Sequence, residues 1–511
     1  MILDGAHKAQ TGERVTLDDI FRGTAEKRPE ALALVDPADR METEGIAPRR
    51  LTYAQADRMV SAIAGRLHRI GLSADAVVGV QLPNNVEGIL TFLGILRAGM
   101  IVAPLPLLWR RADCVTALSR VGAKALITCG QHRGTDHGWI AMEVAAEIFP
   151  IRYVCGFGLR RADGVIPLTD LYDTETLDPL PPRGTDRADA AAHLAVITWD
   201  TTSDGLIAVA RSHLELLSAG VAIVLESRVR HHSTALSAIP PVSLAGLSVG
   251  LMPWLLTGGT LVLHDPFSPD VLTTQIGDHG CDTLALPSAV VARLDEAGFF
   301  AAQDHITNLL ALWRAPERLI GSTSWRHAST AMTDVLAFGE TAVIAGRRGG
   351  DGKGVSLPAG SVTAPRAGPG TVQIAEIERT DAGTLAIRGP MVPRTPFPAD
   401  AKRAGIPAMR IAADGMVNSG YTCRHIPETN SIVVTGPPAG LIGVGGYRFA
   451  LRDLQGLVSS TDPNATLAAL PDIVTGHRLA GHSQERATTR HALDAAGVNP
   501  LVVRAFRERH A

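Results

Sequence analysis

The sequence is short of lysine, cysteine and net charge. Only five of its 48 basic residues are lysines, so arginine carries nearly all of the positive charge. The five cysteines are widely scattered without a CxxC pair, which argues against a disulfide framework or a zinc site. The net charge is -3 and no stripe of basic residues runs along the chain, so the pattern does not favour nucleic acid as a partner. A small molecule is therefore the expected partner.

Long apolar runs are also missing. The longest, Val86 to Trp109, is interrupted by Glu87 and Arg97 and falls short of the ~20 apolar residues that a membrane-spanning helix needs. Residues 1–14 mix charged and polar side chains and lack the apolar core of a signal peptide. With 46% hydrophobic and 19% charged residues, the chain is too apolar for disorder. We predict a cytoplasmic protein with no membrane span.

Helical and strand periodicities alternate along the chain. Apolar residues recur at three- and four-residue spacing from Leu51 to Gly71, which predicts an amphipathic helix with Thr52 as its N-cap. A β-branched strand is predicted at Val77–Leu82, a helix at Glu87–Ala98 and a second strand at Ile101–Ala103. Such alternation implies an α/β fold of mainly parallel sheets covered by helices.

The same pattern continues through the middle of the chain. Helices are predicted at Cys114–Val121, from His213 onward and at Val271–His279, and strands at Ala125–Thr128, Leu194–Thr198, Thr260–Leu263 and Thr283–Leu286. Period-two pairs between Thr371 and Ile387 indicate an antiparallel β subdomain. The glycine- and proline-rich segment 436–446 marks a hinge. We therefore predict a large domain at 15–435 and a small α+β domain at 441–511.

Four segments near the N-terminus carry a specific resemblance. They are Leu51-Thr-Tyr-Ala-Gln, Gln81-Leu-Pro-Asn-Asn-Val-Glu, Leu93-Gly-Ile-Leu-Arg-Ala-Gly and Gly122-Ala-Lys-Ala-Leu-Ile-Thr. In that order and spacing they resemble the N-terminal half of the AMP-forming acyl-CoA synthetases, members of the adenylate-forming superfamily. The resemblance extends over about residues 15–460. It implies that family's fold, with two mainly parallel sheets and a β subdomain followed by a small C-terminal domain, which is shortened here.

The resemblance also implies a chemistry. Members of the family activate a carboxylic acid on the α-phosphate of Mg-ATP and then pass the acyl group to a thiol. ATP and Mg²⁺ are thus the expected cofactors, coenzyme A is a candidate acceptor, and a carboxylic acid or acyl group is the expected ligand. The resemblance leaves self-association into a homodimer open.

By the same resemblance, the candidate site residues fall in four segments. Those of the phosphate-binding loop are Thr198, Thr201, Thr202 and Ser203; those of the adenine motif are Phe338, Gly339, Glu340 and Thr341; the ribose motif ends at Tyr421; and the acyl pocket includes Val242, Ser243 and Gly246. Phe338 is the aromatic residue expected against adenine, and Glu340 is expected to point away from the nucleotide.

Each nucleotide motif departs from the family pattern. Trp199 and Asp200 stand where the family has a small hydroxyl residue and a glycine, and no lysine follows them. Ala342 replaces a glutamate that binds Mg²⁺ in the family, and Tyr421 replaces the aspartate that accepts hydrogen bonds from ribose. A carboxylate at position 200 would repel a triphosphate, at a cost of about 1–4 kcal/mol at surface-type dielectrics.

The C-terminal part departs from the family in the same direction. The hinge segment Gly436–Gly440 lacks the family's arginine, and Lys402 is the last lysine of the chain, so the family's C-terminal catalytic lysine is absent. We therefore assign no catalytic residue and no metal ligand from the sequence.

Two hypotheses follow. In the first, the protein is an acid-activating ligase in which Arg211 or Arg448 supplies the missing positive charge. In the second, it is a catalytically degenerate homologue, or pseudoenzyme, that binds an acyl group, acts as a partner subunit, or transfers an acyl-adenylate or thioester made elsewhere.

Overall fold

The structure is a computed structural model that describes residues 15–158, 163–173, 189–366 and 370–507. Residues 1–14, for which we predict no signal peptide, lie outside these ranges. Within them, no helix is both long enough and apolar enough to cross a membrane.

Helices and strands alternate over most of the described chain. The α-helices are α1 (Leu17–Lys27), α2 (Arg40–Glu44), α3 (Tyr53–Arg69), α4 (Val86–Arg97), α5 (Arg111–Val121), α6 (His137–Glu147), α7 (His213–Ser227), α8 (Leu244–Gly246), α9 (Met252–Thr257), α10 (Pro269–His279), α11 (Ser288–Glu296), α12 (Ala401–Ala404), α13 (Leu451–Thr461), α14 (Arg486–Ala495) and α15 (Pro500–Val503). The strands are β1 (Leu32–Val35), β2 (Arg50–Thr52), β3 (Val77–Gln81), β4 (Ile101–Pro104), β5 (Ala125–Cys129), β6 (Gln131–His132), β7 (Thr135–Asp136), β8 (Tyr153–Phe157), β9 (Ile166–Pro167), β10 (Leu194–Thr202), β11 (Gly205–Ser212), β12 (Thr234–Ser237), β13 (Thr260–Leu263), β14 (Thr283–Pro287), β15 (Asn308–Trp313), β16 (Ala331–Phe338), β17 (Ala342–Arg347), β18 (Leu357–Pro358), β19 (Gly360–Ala364), β20 (Val372–Arg379), β21 (Thr384–Arg388), β22 (Val417–Ile426), β23 (Ser431–Gly436), β24 (Leu441–Val444), β25 (Tyr447–Ala450), β26 (Thr466–Asp472) and β27 (Gly476–His482).

Two mainly parallel sheets form the frame of the large domain. One has the strand order β17-β16-β15-β14-β12-β13-β1-β2 and is antiparallel only at its two end pairs. The other has the order β11-β10-β4-β3-β5-β8-β9 and is antiparallel only between β10 and β11. A third sheet, β18-β23-β22-β21-β20-β19, is antiparallel throughout. The predicted fold class is confirmed.

Local sequence signals explain why the predicted elements form. The hydroxyl of Thr52 accepts a hydrogen bond from the backbone N–H of Gln55, whose side chain in turn accepts from the Thr52 N–H, so a capping box starts α3 as predicted. Helix α7 begins with the same arrangement between Ser212 and Glu215. The strands predicted at Val77–Leu82 and Thr260–Leu263 correspond to β3 and β13.

The predicted strand Leu194–Thr198 is longer than expected. Strand β10 runs on to Thr202 and pairs antiparallel with β11, so a hairpin occupies the segment expected to form the phosphate-binding loop. Only Ser203 and Asp204 lie between the strands, and Gly205 follows with φ of 106°. The Asp-Gly dipeptide between two apolar runs favours a hairpin, and this signal was missed.

A small unit follows the segment 436–440. Strands β24–β27 form a four-stranded sheet of their own in the order β25-β24-β27-β26, with α13 and α14 close by. Their buried apolar side chains, among them Val458, Leu493 and Phe506, form a core separate from those of the large domain. We call residues 441–507 the small domain.

The packing of α3 against α4 gives a stability prediction. A Cβ atom built on Gly94 of α4 would lie 2.7 Å from Cγ2 of Ile63 in α3. Gly94→Ala is therefore expected to lower the free energy of unfolding by about 1–3 kcal/mol, because a packed interface must shift. The midpoint of urea unfolding measures this change.

A matched control is Gly277→Ala in the exposed part of α10. A Cβ atom there has open space around it, so the substitution is expected to stabilise the protein by about 0.5–1 kcal/mol through helix propensity. A Gly94→Ala variant at least as stable as the wild type would contradict the packing described for α3 and α4.

Candidate functional site

The carboxyl ends of the parallel strands meet along one wall of a cavity. Ser243 follows β12, Ser288 follows β14, Arg314 follows β15, and Gly339 and Glu340 follow β16; all five line a cavity of about 500 Å³. Ligands of open α/β sheets bind outside the carboxyl ends of the strands. The strand order of the largest sheet therefore brings together residues that are far apart in sequence.

The hairpin and the small domain form the other walls. Trp199, Asp200 and Thr201 of β10 face the cavity, and Tyr447 and Arg448 of β25 close it from the opposite side. The indole N–H of Trp199 donates to the carbonyl of Pro104 at 2.9 Å, which fixes the ring in the wall. The cavity thus lies between the two domains.

A buried ion pair lies behind the hairpin. The fully buried guanidinium of Arg211 lies 3.5 Å from Oε2 of Glu340 and donates to the hydroxyl of Thr198 at 3.2 Å and to the backbone carbonyl of Glu340. Thr198 donates to the same carboxylate at 2.5 Å, and the N–H of Leu244 donates to it at 2.9 Å. Burial raises the pKa of Glu340 and the positive charge of Arg211 opposes that rise. Arg211 is therefore paired inside the protein.

A second ion pair crosses between the domains. Arg448 donates to Oδ1 of Asp200 at 2.9 Å and to the hydroxyl of Tyr421 at 2.6 Å. The other oxygen of Asp200 accepts from the N–H of Glu340 at 2.8 Å, so the two ion pairs are adjacent. Burial raises the pKa of Tyr421 to about 12, which keeps the phenol protonated at neutral pH. We call Arg448, Asp200 and Tyr421 the interdomain cluster.

The remaining nucleotide candidates lie around these pairs, and several do not face the cavity. Phe338 is 1% exposed and meets the Tyr421 ring edge-on, with the centroids 5.4 Å apart. Thr202 accepts a hydrogen bond from the N–H of Asp204 within the hairpin turn, and Ser203 lies in that turn. Thr341 is buried in the turn after β16. Glu340 contributes to the cavity wall, and its carboxylate is bonded to Arg211, Thr198 and the N–H of Leu244.

Two of the three acyl-pocket candidates face the cavity. Val242 and Ser243 line it, and the hydroxyl of Ser243 caps α8 by accepting from the N–H of Gly246. Gly246 packs against the carbonyl oxygen of Pro240, which leaves no space for a side chain. Its role is therefore to allow close packing behind the wall.

Arg314 was not predicted from the sequence. It stands immediately after β15, lines the cavity and donates to the Ser243 hydroxyl at 3.2 Å. The backbone of Gly446 approaches it so closely that a Cβ atom there would lie 3.1 Å from Cδ of Arg314. A basic residue directly after a parallel strand is the signal that could have identified it.

Backbone contacts dock the small domain on the large one. Arg318 donates to the carbonyls of Asp472, Ile473 and Gly476 at 2.8–3.0 Å, which lie in or directly beside the turn between β26 and β27. At a second position, the N–H of Ala112 donates to the carbonyl of Gly497 at 3.2 Å. The small domain is thus held to the large one at two separate positions.

The last lysine of the chain lies away from the cavity, and two carboxylates of the cavity wall are paired with arginines. Lys402 lies exposed in α12, outside the cavity wall. Asp200 and Glu340 are both engaged by arginines, and the described residues contain no cluster of three or more histidine, cysteine, aspartate or glutamate side chains suited to a metal. The residues present, in this arrangement, do not fit Mg-ATP.

Comparison with known proteins identifies the family. A model described as AMP-binding enzyme matches residues 21–392, which is more than half of the chain. The chain belongs to the AMP-binding enzyme family. The matched range takes in both parallel sheets and the hairpin, whereas Tyr421 and the cavity-lining residues of the small domain lie beyond it.

Curated relatives match parts of the chain. Over 269 residues it is 29% identical to long-chain fatty acid transport protein 1 of Rattus norvegicus, covering 50% of this chain and 38% of that protein. Over 326 residues it is 26% identical to cyclosporin synthetase simA of Tolypocladium inflatum, covering 60% of this chain and 2% of that protein. The matches therefore span well under two thirds of these relatives' own length.

Solved structures match nearly the whole chain at low identity. The apo structure of Mycobacterium smegmatis MbtA gives a TM-score of 0.65 at 20% identity, covering 98% of this chain and 92% of that one. The amide bond synthetase McbA from Marinactinospora thermotolerans gives 0.68 at 15% identity, covering 94% of both chains. A Mycobacterium tuberculosis fatty acyl CoA synthetase gives a TM-score of 0.63 at 17% identity, covering 94% of this chain and 91% of that one. These likenesses show the adenylate-forming fold.

Gly339 gives a prediction for this site. Its φ is +59°, and a Cβ atom would collide with the Asp200 carboxylate and lie 2.6 Å from Nη1 of Arg448. We expect Gly339→Ala to cost about 1–2 kcal/mol from the left-handed backbone alone and to separate Arg448 from Asp200. Hydrogen exchange should then be faster in β10 and in β24–β25.

The matched control is Gly350→Ala, because a Cβ atom there meets open space. That variant should exchange like the wild type. Unchanged exchange in β25 of Gly339→Ala would show that Gly339 does not maintain the interdomain cluster.

Proposed function

We propose that this protein binds a small carboxylic acid or acyl group in the interdomain cavity and that its ATP-dependent ligase chemistry is absent or strongly reduced. The observation that carries the proposal is the interdomain cluster. Asp200 and Tyr421 belong to the segments that, by family resemblance, correspond to the phosphate and ribose contacts, and Arg448 bonds to both of them. The protein's own side chains thus satisfy one another where the nucleotide is expected.

The charges of Asp200 and Arg211 support the same interpretation. To bind a triphosphate here, Asp200 would have to leave Arg448 or remain as a like charge beside the ligand, at a cost of about 1–4 kcal/mol per contact. Arg211 offers no compensation, since it is fully buried and paired with Glu340. Breaking such a buried pair leaves an uncompensated charge, which is strongly destabilising.

The part of the cavity expected to bind an acyl group is better preserved than the part expected to bind the nucleotide. Trp199, Leu206, Val242 and Leu312 give the cavity an apolar lining, and its volume of about 500 Å³ falls within the usual range of ligand sites. The indole rings of Trp109 and Trp199, with centroids 6.1 Å apart and planes tilted by 54°, offer an aromatic surface for an alkyl or aryl group. The names of the fatty acid relatives make straight-chain acids the first ligands to try.

A second candidate function is the acid-activating ligase that the family membership favours. The observation in its favour is that Arg448 belongs to the small domain, which follows a glycine- and proline-rich connection at 436–440. If the small domain turns away, Asp200 and Tyr421 lose their partner. ATP, Mg²⁺ and an acceptor such as coenzyme A would then bind to an opened site.

Calorimetric titration separates the two candidates. The purified protein is titrated with Mg-ATP at millimolar concentration, with straight-chain and aryl carboxylic acids, and with a non-hydrolysable acyl-adenylate analogue. We expect acid binding without measurable ATP binding. Micromolar ATP binding would instead establish the ligase, and tight binding of the analogue alone would indicate transfer of a preformed adenylate.

Substitution of Asp200 tests the charge argument. Asp200→Asn removes the negative charge and weakens the bond to Arg448, so Mg-ATP affinity should rise by about tenfold or more, in line with one like-charge contact. The control is Asp204→Asn in the same hairpin, whose carboxylate pairs with the exposed Arg410. Equal ATP affinity of the wild type and both variants would mean that Asp200 does not limit nucleotide binding.

A further inference from the structure

The arginines around the cavity differ in how their charge is balanced. Arg211 pairs with Glu340, and Arg448 pairs with Asp200. Arg318 donates to three backbone carbonyls of the small domain. For Arg314, the structure shows one hydrogen bond, to the neutral hydroxyl of Ser243, and within the described residues no carboxylate oxygen comes within ion-pair distance of its guanidinium.

Few partners compensate the half-buried charge of Arg314. Burial lowers the pKa of Arg314, opposed by Glu340 and Tyr447, but an arginine stays charged in proteins. Its planar guanidinium carries five N–H donors, of which one is used here. A half-buried charge with unused donors calls for an anionic partner, and a carboxylate matches the guanidinium fork with two parallel hydrogen bonds.

The surroundings of Arg314 define what kind of anion fits. Its side chain leads into a cavity whose lining is mainly apolar on the side of Trp199, Val242 and Leu312. Glu317 is a carboxylate of the wall for which the structure shows no arginine bond, and burial raises its pKa, opposed by Arg318, Arg448 and His477. An anion with an apolar body is therefore favoured over a bare inorganic ion.

We propose that Arg314, assisted by the Ser243 hydroxyl, binds the carboxylate of an organic acid whose hydrocarbon or aryl part lies against Trp109 and Trp199. This inference rests on the proposed function, because it names the group that holds the acid in the same cavity. It adds that the protein selects the ionised acid over neutral acyl derivatives. The acid is held at its carboxylate by a fixed cation, not by a nucleotide.

The test compares each acid with its primary amide. Titration calorimetry is carried out with a series of straight-chain and aryl carboxylates and their matched amides, on the wild type, Arg314→Gln and Ser243→Ala. We expect the wild type to bind the best acid about ten- to a hundredfold more tightly than its amide, the range of a charge-assisted hydrogen-bond pair. Arg314→Gln should bind acid and amide equally, and Ser243→Ala should keep a reduced preference.

Matched controls keep the outcomes separate. Arg478→Gln removes an exposed arginine of the small domain and should leave the preference unchanged. If Arg314→Gln does not fold, judged by its thermal transition, the test depends on two results: the preference of the wild type for acid over amide, and the reduction of that preference in Ser243→Ala. Competition of the bound acid by millimolar inorganic phosphate or AMP would overturn the assignment in favour of a phosphate site.

The proposal and the proposed function fail in different ways. Wild-type protein that binds no acid, amide or phosphate contradicts the proposed function as well. Acid binding that is unaffected by Arg314→Gln and Ser243→Ala leaves acyl binding in place but overturns the role of Arg314.

Discussion

The ion pair between Arg448 and Asp200 determines the state of this site. It connects the small domain to the hairpin, and through Tyr421 and the N–H of Glu340 it connects both to the antiparallel sheet and the largest parallel sheet. Both side chains are partly buried, and removing one partner would leave the other charge partly desolvated without compensation, which is costly. The contact that joins the two domains therefore also occupies the position expected for the nucleotide.

The same interaction explains why the departures from the family pattern belong together. An aspartate at position 200 is harmful beside a triphosphate but useful beside Arg448. A tyrosine at position 421 cannot accept two ribose hydrogen bonds, yet its hydroxyl accepts one from Arg448 at 2.6 Å and its ring lies 5.5 Å below that guanidinium. Asp200 and Tyr421, two of the residues that depart from the family pattern, therefore both take part in the contact between the domains.

The sequence alone predicted the fold class and most of the first elements, because amphipathic periodicity and capping boxes are local signals. The start of α3 at Thr52 and the strands β3 and β13 are examples. The hairpin of β10 and β11 was missed because the family resemblance directed attention to a loop, although Asp204-Gly205 is a common hairpin dipeptide.

The site was harder to predict than the fold. The resemblance selected Thr198, Glu340 and Tyr421, which do come together, but it gave no indication that Glu340 turns inward to Arg211. Arg211 and Arg448 were recognised as candidate cations. Their pairing with Glu340 and Asp200 depends on distances that no sequence pattern contains. Arg314 was missed although it directly follows β15; that no carboxylate of the described residues pairs with it is visible only in the structure.

The hairpin turn has a consequence for the history and engineering of this chain. Two residues separate β10 from β11, and two residues extend over at most about 7 Å. So short a link has no length to spare for wrapping around a chain of phosphate groups, whatever its side chains are. Exchanging single amino acids would then adjust affinity, whereas a protein that handles triphosphates efficiently would have to acquire extra backbone at this position.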